Sequence, residues 1–274
     1  MHSTASSAMR RITGIALIFV AFAGGLTVFQ DSLLYFPDRA PLASVVDQAR
    51  GEGLSPWPDA GAYRGLLREP KAPVRGTLLL FHGNAGHAGH RGWYADMLSR
   101  QGVRVILAEY PVYGPREGKL GEASFVADAT ETVALVRKQF PGPLILAGES
   151  LGAAVAAALA KTVDADALLL ITPWDTLKNV AGHHYPWLPV GWMLRDRYDS
   201  VGNLAGYRGR VAVVVAERDS IVPAKYGRAL FATLSEPKRL WPISAADHND
   251  WWDRVDEVWW EAVTRFLFDS EESR

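Results

Sequence analysis

From about residue 62 onward, short apolar runs alternate with segments whose apolar positions return every three or four residues. The runs AYRGLLRE, GTLLLFHG, RVILAEYP, PLILAGES, DALLLITPW, VAVVVAERD and PKRLWPIS read as strands, bounded by glycine, proline and polar residues. Helices separate most of them. Val126, Ala129, Val133, Val136 and Phe140 fall on one stripe of a helix before PLILAGES, and Trp252, Val255, Trp259, Ala262 and Phe266 repeat the pattern near the end of the chain. The alternation predicts an α/β fold with a mostly parallel sheet flanked by helices.

Two segments break this rhythm. Between DALLLITPW and VAVVVAERD the stretch 175–209 carries HHYPWLPVGW, too long and too aromatic for a plain crossover, and reads as a short lid insertion. Residues Gln30 to Ala60, rich in proline, read as a membrane-proximal linker ending in the first strand. Upstream, Arg10 and Arg11 precede ITGIALIFVAFAGGLTVF, uncharged from Ile12 to Phe29. As a helix this stretch is about 27 Å long, close to the roughly 30 Å of a bilayer's hydrocarbon core. It predicts an N-terminal transmembrane helix, a signal anchor over residues 1–30, with Leu33, Leu34, Tyr35 and Phe36 as an interfacial belt and one main domain over 31–274. The two arginines before the span place the N-terminus in the cytoplasm and the main domain outside it. The alternative is a signal peptide cleaved near AFA, residues 21 to 23, which releases a secreted domain.

Composition narrows the function classes. In 274 residues, 29 basic side chains against 30 acidic ones leave a net charge of -1, without the positive field that nucleic-acid binding needs. The chain has no cysteine, which excludes disulfides, thiolate catalysis and thiolate metal sites.

The chemistry centres on AGESLG, residues 147 to 152, where a strand meets an alanine-rich helix. A strand that becomes a helix with almost no loop forces the residue at the join into a strained conformation, tolerable when the residues two places either side lack bulk. Gly148 and Gly152 meet that condition around Ser150. The competing reading is an ordinary helix-capping serine. A serine nucleophile requires a base and a carboxylate that orients it. Asp219 and His248 follow the next-to-last and last strands and so share the carboxyl edge of the sheet with Ser150, in the chain order serine, aspartate, histidine. Asp175 is the rival acid. The oxyanion hole falls to the backbone N–H groups of Leu151 and Asn84, with His82 a loop-packing residue. A metal site from His87 and His90 is disfavoured because no carboxylate accompanies them in sequence. No metal or cofactor is expected.

The segments FQDSLLYFP, FHGNAGH, EYPVYGPREGK, GESLGAAVA, LPVGWMLRDRYDS, AERDSIVP and DHND resemble the alpha/beta-hydrolase superfamily, within it the membrane-anchored, short-lid branch that includes eukaryotic depalmitoylating serine hydrolases. The resemblance implies Ser150 as nucleophile, Asp219 as acid, His248 as base, and Asn84 with Leu151 as the oxyanion hole. Three departures stand out: Ala216 and Asp247 occupy places usually held by glycine, and YPVYGPREG replaces a more usual arginine-glycine-tyrosine turn. The reading is therefore a serine hydrolase that cleaves a carboxylic ester or thioester through an acyl-enzyme. Tyr185, Trp187, Leu188, Val190 and Trp192 would line a pocket for a hydrophobic, lipid-like acyl group. Amidase or peptidase activity and a noncatalytic membrane-tethered binding scaffold are the alternatives.

Overall fold

The seven expected strands all form, and an eighth precedes them. In a computed structural model that describes residues 30–71 and 73–269, with Thr13, Gly14, Gly24 and Gly25, the strands are β1 (Ser55–Trp57), β2 (Gly65–Arg68), β3 (Gly76–Phe81), β4 (Val103–Ala108), β5 (Leu144–Glu149), β6 (Ala167–Ile171), β7 (Arg210–Ala216) and β8 (Lys238–Ile243). Their order across one sheet is β8-β7-β6-β5-β3-β4-β2-β1. Strands β3 to β8 run parallel, whereas β2 is antiparallel to β4 and β1 to β2. The Ser-Pro-Trp sequence of β1 is too short to show a period, which is why sequence alone misses it.

Ten helices are described: α1 (Gln30–Leu34), α2 (Leu42–Gly51), α3 (Gly92–Arg100), α4 (Glu122–Gln139), α5 (Leu151–Ala160), α6 (Leu177–His184), α7 (Val190–Met193), α8 (Ser200–Leu204), α9 (Ala224–Thr233) and α10 (Glu257–Phe268). Alternate residues of the central strands feed two separate cores. Leu79, Phe81, Leu146, Leu168 and Val213 pack with Phe125, Ala129 and Val136 of α4 and with α5 on one face. Leu78, Leu80, Ile145, Leu169 and Val214 pack with Leu98 of α3 and with Trp260 and Val263 of α10 on the other. Burial on both faces explains why these strands read as unbroken apolar runs. Each fully buried Leu, Ile or Val contributes about 1.5–3 kcal/mol against the entropy of ordering the chain.

Three expectations need correction. The buried stripe of α10 is Trp260, Val263, Thr264 and Leu267, one residue on from the expected one; Trp259 and Phe266 lie half-buried at its margin, so a helix with aromatics on both sides of its seam misleads a periodicity count. In α4 the buried stripe starts at Phe125 rather than Val126. The expected linker Gln30 to Ala60 is folded onto the domain: it holds α1, α2 and β1, with Val45, Ala49, Leu54 and Trp57 buried, and Phe36–Pro37 pairs in parallel with Ala85–Gly86. The expected interfacial belt accordingly divides. Tyr35 is buried and hydrogen-bonds Asp196 and Tyr198, whereas Leu33 and Phe36 are exposed.

The anchor expected over Ile12 to Phe29 falls almost wholly outside the described residues. Among those described, no helix is long and apolar enough to cross a membrane. The connection from β6 to β7 folds into α6, α7 and α8, in place of a single crossover helix.

Candidate active site

β5 ends at Glu149 and α5 begins at Leu151, leaving Ser150 alone to turn the chain. Its backbone sits at φ 55° and ψ −114°, a strained conformation for a residue with a Cβ. The flanking glycines are a steric necessity. A Cβ on Gly148 would meet the Gly152 carbonyl oxygen at 2.0 Å, and one on Gly152 would meet the Phe81 oxygen at 2.0 Å and the His82 oxygen at 2.7 Å. Although Ser150 occupies the N-cap position of α5, its hydroxyl makes no capping hydrogen bond, so the helix-capping reading fails. The turn is held instead by its backbone, with Ser150 N donating to Ile171 O at 2.9 Å.

Glu149 anchors the turn from below. Its buried carboxylate accepts two bonds from Arg91 at 3.0 Å each and one from the Tyr94 hydroxyl at 3.1 Å. Burial alone would lower the Arg91 pKa, but the facing Glu149 outweighs it and holds the guanidinium more firmly charged than usual. Sequence reading passed over this trio; the only hint was an acidic residue inside an otherwise apolar strand end.

The structure brings the candidate acid and the candidate base together. His248 Nδ1 lies 2.7 Å from Asp219 Oδ2, and because an ionised carboxylate only accepts, the ring nitrogen donates and leaves Nε2 as the basic site. Asp219 Oδ1 accepts from Ile221 N at 2.9 Å and Val222 N at 2.6 Å, which fixes the carboxylate in its loop. The rival Asp175 is occupied elsewhere, by Thr176 N at 2.6 Å and Asn179 Nδ2 at 2.7 Å. Ser150, Asp219 and His248 are all buried at the carboxyl edge of the sheet, after β5, β7 and β8. Among the described residues no hydrogen bond joins Ser150 Oγ to the ring; such contacts commonly tighten only once substrate is bound.

The loop after β3 is braced on every side. Asn84 spends its carboxamide nitrogen on Leu34 O at 3.0 Å, and its carbonyl accepts from Phe36 N and the Tyr113 hydroxyl. That leaves its backbone N–H without a protein acceptor among the described residues, as an oxyanion donor requires. Leu151 N–H is the first of the unpaired amides at the start of α5. His82 has an oxygen partner at each ring nitrogen, Gly83 O at 2.7 Å and Glu109 Oε1 at 3.0 Å, which commits it to bracing. The unusual YPVYGPREG turn serves the same loop, for the Tyr110 hydroxyl donates to His82 O and the Tyr113 hydroxyl to Asn84 O.

Residues 72–195 match the family model described as serine aminopeptidase, S33. Uncharacterized protein Rv2307c of Mycobacterium tuberculosis is 32% identical over 275 residues, spanning 94% of this chain and 95% of that protein. The chain belongs to the alpha/beta-hydrolase superfamily. Lysophosphatidylserine lipase ABHD12 of Danio rerio is 30% identical over 185 residues, 60% of this chain and 48% of that one. Among solved structures, Est1E from Butyrivibrio proteoclasticus with bound ferulic acid superposes with a TM-score of 0.61 at 19% identity, covering 73% of this chain and 92% of that one, a likeness of fold.

Within this alpha/beta-hydrolase, the two replaced glycines have distinct fates. Ala216 ends β7 with its methyl fully buried in the core. Asp247 is a staple between the acid loop and the base loop: its carboxylate accepts from Ser220 N at 2.8 Å, from Ser220 Oγ at 2.9 Å and from His248 N at 2.7 Å. The amides of Ser220 and His248 depress its pKa, so the staple is fully charged above the ordinary carboxylate range and is lost only as pH falls through that lowered value. Asp247→Ala should lower kcat on the order of tenfold with KM unchanged, short of the roughly 10²-fold that a 1 Å misplacement costs. Asp247→Asn, which keeps one accepting oxygen, should restore part of the loss in steady-state kinetics; an Asp247→Ala enzyme with unaltered kcat rules the staple out.

Two other expectations need revision. The carboxylate missing from the sequence around His87 and His90 is supplied by Asp38, and the candidate ligand atoms of the three lie within 4.8 Å of one another. However, His87 Nδ1 accepts from Gly89 N at 3.0 Å, which leaves the proton of the neutral ring on Nε2, so a metal would have to displace that bond. The aromatics assigned to an acyl pocket mostly point outward: Tyr185 is 52%, Trp187 62% and Trp192 93% exposed, with Leu188 and Val190 half-buried. Sequence cannot distinguish an inward from an outward aromatic in a segment without regular period.

Proposed function

We propose that the protein is a serine hydrolase that cleaves a carboxylic ester or thioester with a hydrophobic acyl part, acting from a single-pass N-terminal anchor with its catalytic domain outside the cytoplasm. The reading rests above all on the Asp219–His248 pair at 2.7 Å, set on the same sheet edge as a serine whose strained backbone is matched to its two glycines. In the first half-reaction Ser150 Oγ bonds to the carbonyl carbon while its proton passes to His248 Nε2; the amides of Leu151 and Asn84 receive the developing oxyanion. The carbon–oxygen or carbon–sulfur bond then breaks and the alcohol or thiol leaves with that proton. Water, deprotonated by the same imidazole, attacks the acyl-serine and releases the acid and a free Ser150. Asp219 holds the ring in the required tautomer throughout.

An aminopeptidase needs an unpaired carboxylate for the substrate's terminal ammonium. Of the acidic groups around this site, Glu149 is paired with Arg91, Glu109 with His82, and Asp175 is bonded to Thr176 N and Asn179, while Leu177 to Arg195 contains no acidic residue. A binding scaffold has no use for strain at Ser150 that costs roughly 1–3 kcal/mol. One relative is named a lysophosphatidylserine lipase, and a solved structure of the same fold, Est1E, holds ferulic acid. The test is a panel of nitrophenyl esters of graded chain length beside aminoacyl anilides, on the detergent-solubilised protein. Ester cleavage that rises with chain length supports the reading; faster release of anilide than of ester overturns it in favour of a peptidase.

A further inference from the structure

We infer that the β6–β7 connection, together with the start of α1, is a lipid-facing surface that seats the catalytic edge of the domain on the bilayer. The inference rests on the N-terminal anchor proposed above, not on the chemistry of the site. Three observations carry it. The first is where the chain enters the domain: the uncharged stretch Ile12 to Phe29 ends at Gln30, and Gln30 is bound to the end of α7, its Nε2 donating to Met193 O at 3.0 Å and its Oε1 accepting from Arg195 N at 2.8 Å. Arg195 also pairs with Asp31. The first residue of α1 is therefore held at the residue that directly follows Trp192 in the chain.

The second is the surface itself. Trp192 is the most exposed of the large apolar side chains among the described residues, at 93%, and Trp187 and Tyr185, earlier in the same connection, and Leu33 of α1 are also more than half exposed. Tryptophan and tyrosine are the residues that settle at the headgroup level of a bilayer. The charge around them suits that setting. The stretch Leu177 to Arg195 holds Lys178 and Arg195 and no acid, while the nearby Asp31 and Asp196 are engaged by Arg195 and by the Tyr35 hydroxyl.

The third is continuity with the catalytic loop. At the far end of α6, His184 Nε2 lies 2.7 Å from Ile221 O, two residues beyond Asp219, and Ile221 is itself exposed. The connection that carries these aromatics thus touches the start of α1 at one end and the loop holding Asp219 at the other. An ester dissolved in the membrane would reach the site along this face without crossing bulk water.

The chain has no cysteine, so Trp192→Cys or Lys161→Cys can carry an environment-sensitive fluorophore without background. Lys161 is exposed just beyond α5, at the opposite edge of the sheet. Each labelled full-length protein is reconstituted into phosphatidylcholine vesicles and floated on a density gradient. The expected result is a blue-shifted emission at position 192, quenched by nitroxide-bearing lipid, and neither change at 161. Flotation with a label at 192 as water-exposed as that at 161 overturns the docking surface and leaves the anchor standing. A protein that does not float overturns the anchor and the docking together. Ester hydrolysis by the same samples, measured on a soluble nitrophenyl substrate, reports separately on the chemistry.

Discussion

Ser150→Ala should abolish ester hydrolysis, lowering kcat on the order of 10⁴–10⁶-fold, and leave the melting temperature within a degree or two of the parent. The separation of the two effects follows from the geometry. The hydroxyl makes no capping bond to α5, so its removal deletes no structural contact, and alanine at φ 55° suffers the same backbone strain as serine. His248→Ala should cost about as much, and the double variant little more than either single one, because the two groups act as a unit. Asp219→Asn should cost about 10⁴-fold by favouring the wrong tautomer. Asp175→Asn should leave kcat near that of the parent, since Asp175 is bonded to Thr176 and Asn179 rather than to the imidazole. Steady-state kinetics alongside labelling by a fluorophosphonate reads all five variants. Retention of more than a small fraction of wild-type turnover by Ser150→Ala would show that another nucleophile does the work.

How much of this was legible beforehand differs by element. The central strands were visible because both faces are buried and their sequences are continuously apolar, and the helix after Ser150 was visible because nine of its ten residues are buried. Ser150, Asp219 and His248 could be named because a parallel sheet sends every strand end to one edge, so topology alone brings distant residues together. What stayed hidden depends on side chains that reach across the chain. Nothing local announces that Glu149 will meet Arg91, that Asp247 will bind Ser220, or that Asp38 will approach His90, since each pairing exists only after folding. The direction of Trp192 was hidden for a different reason. α7 is a four-residue helix with no buried residue, too short to display a period from which an inner face can be inferred.

Gly152→Ala should be among the most damaging single methyl additions to the described part of the chain. Its Cβ would lie 2.0 Å from Phe81 O and 2.7 Å from His82 O, both backbone atoms at the end of β3, and neither can swing away as the tip of a flexible side chain would. Relief requires α5 to lift from β3 or the turn at Ser150 to open, and either movement unpacks the buried alanine face of α5. Overpacking of this kind costs about 3 kcal/mol, or roughly 6–12 °C in melting temperature for a domain of this size. Activity should fall further than stability, because the His82 carbonyl under pressure also receives the Tyr110 hydroxyl and leads into the loop that carries the Asn84 amide. Gly206→Ala is the matched control: no atom lies within 4 Å of its added Cβ, and a change of no more than about 0.5 kcal/mol is expected there. Thermal melts and kinetics on both variants decide the matter, and a Gly152→Ala protein that melts and turns over like Gly206→Ala would mean that α5 does not press against β3 as closely as described.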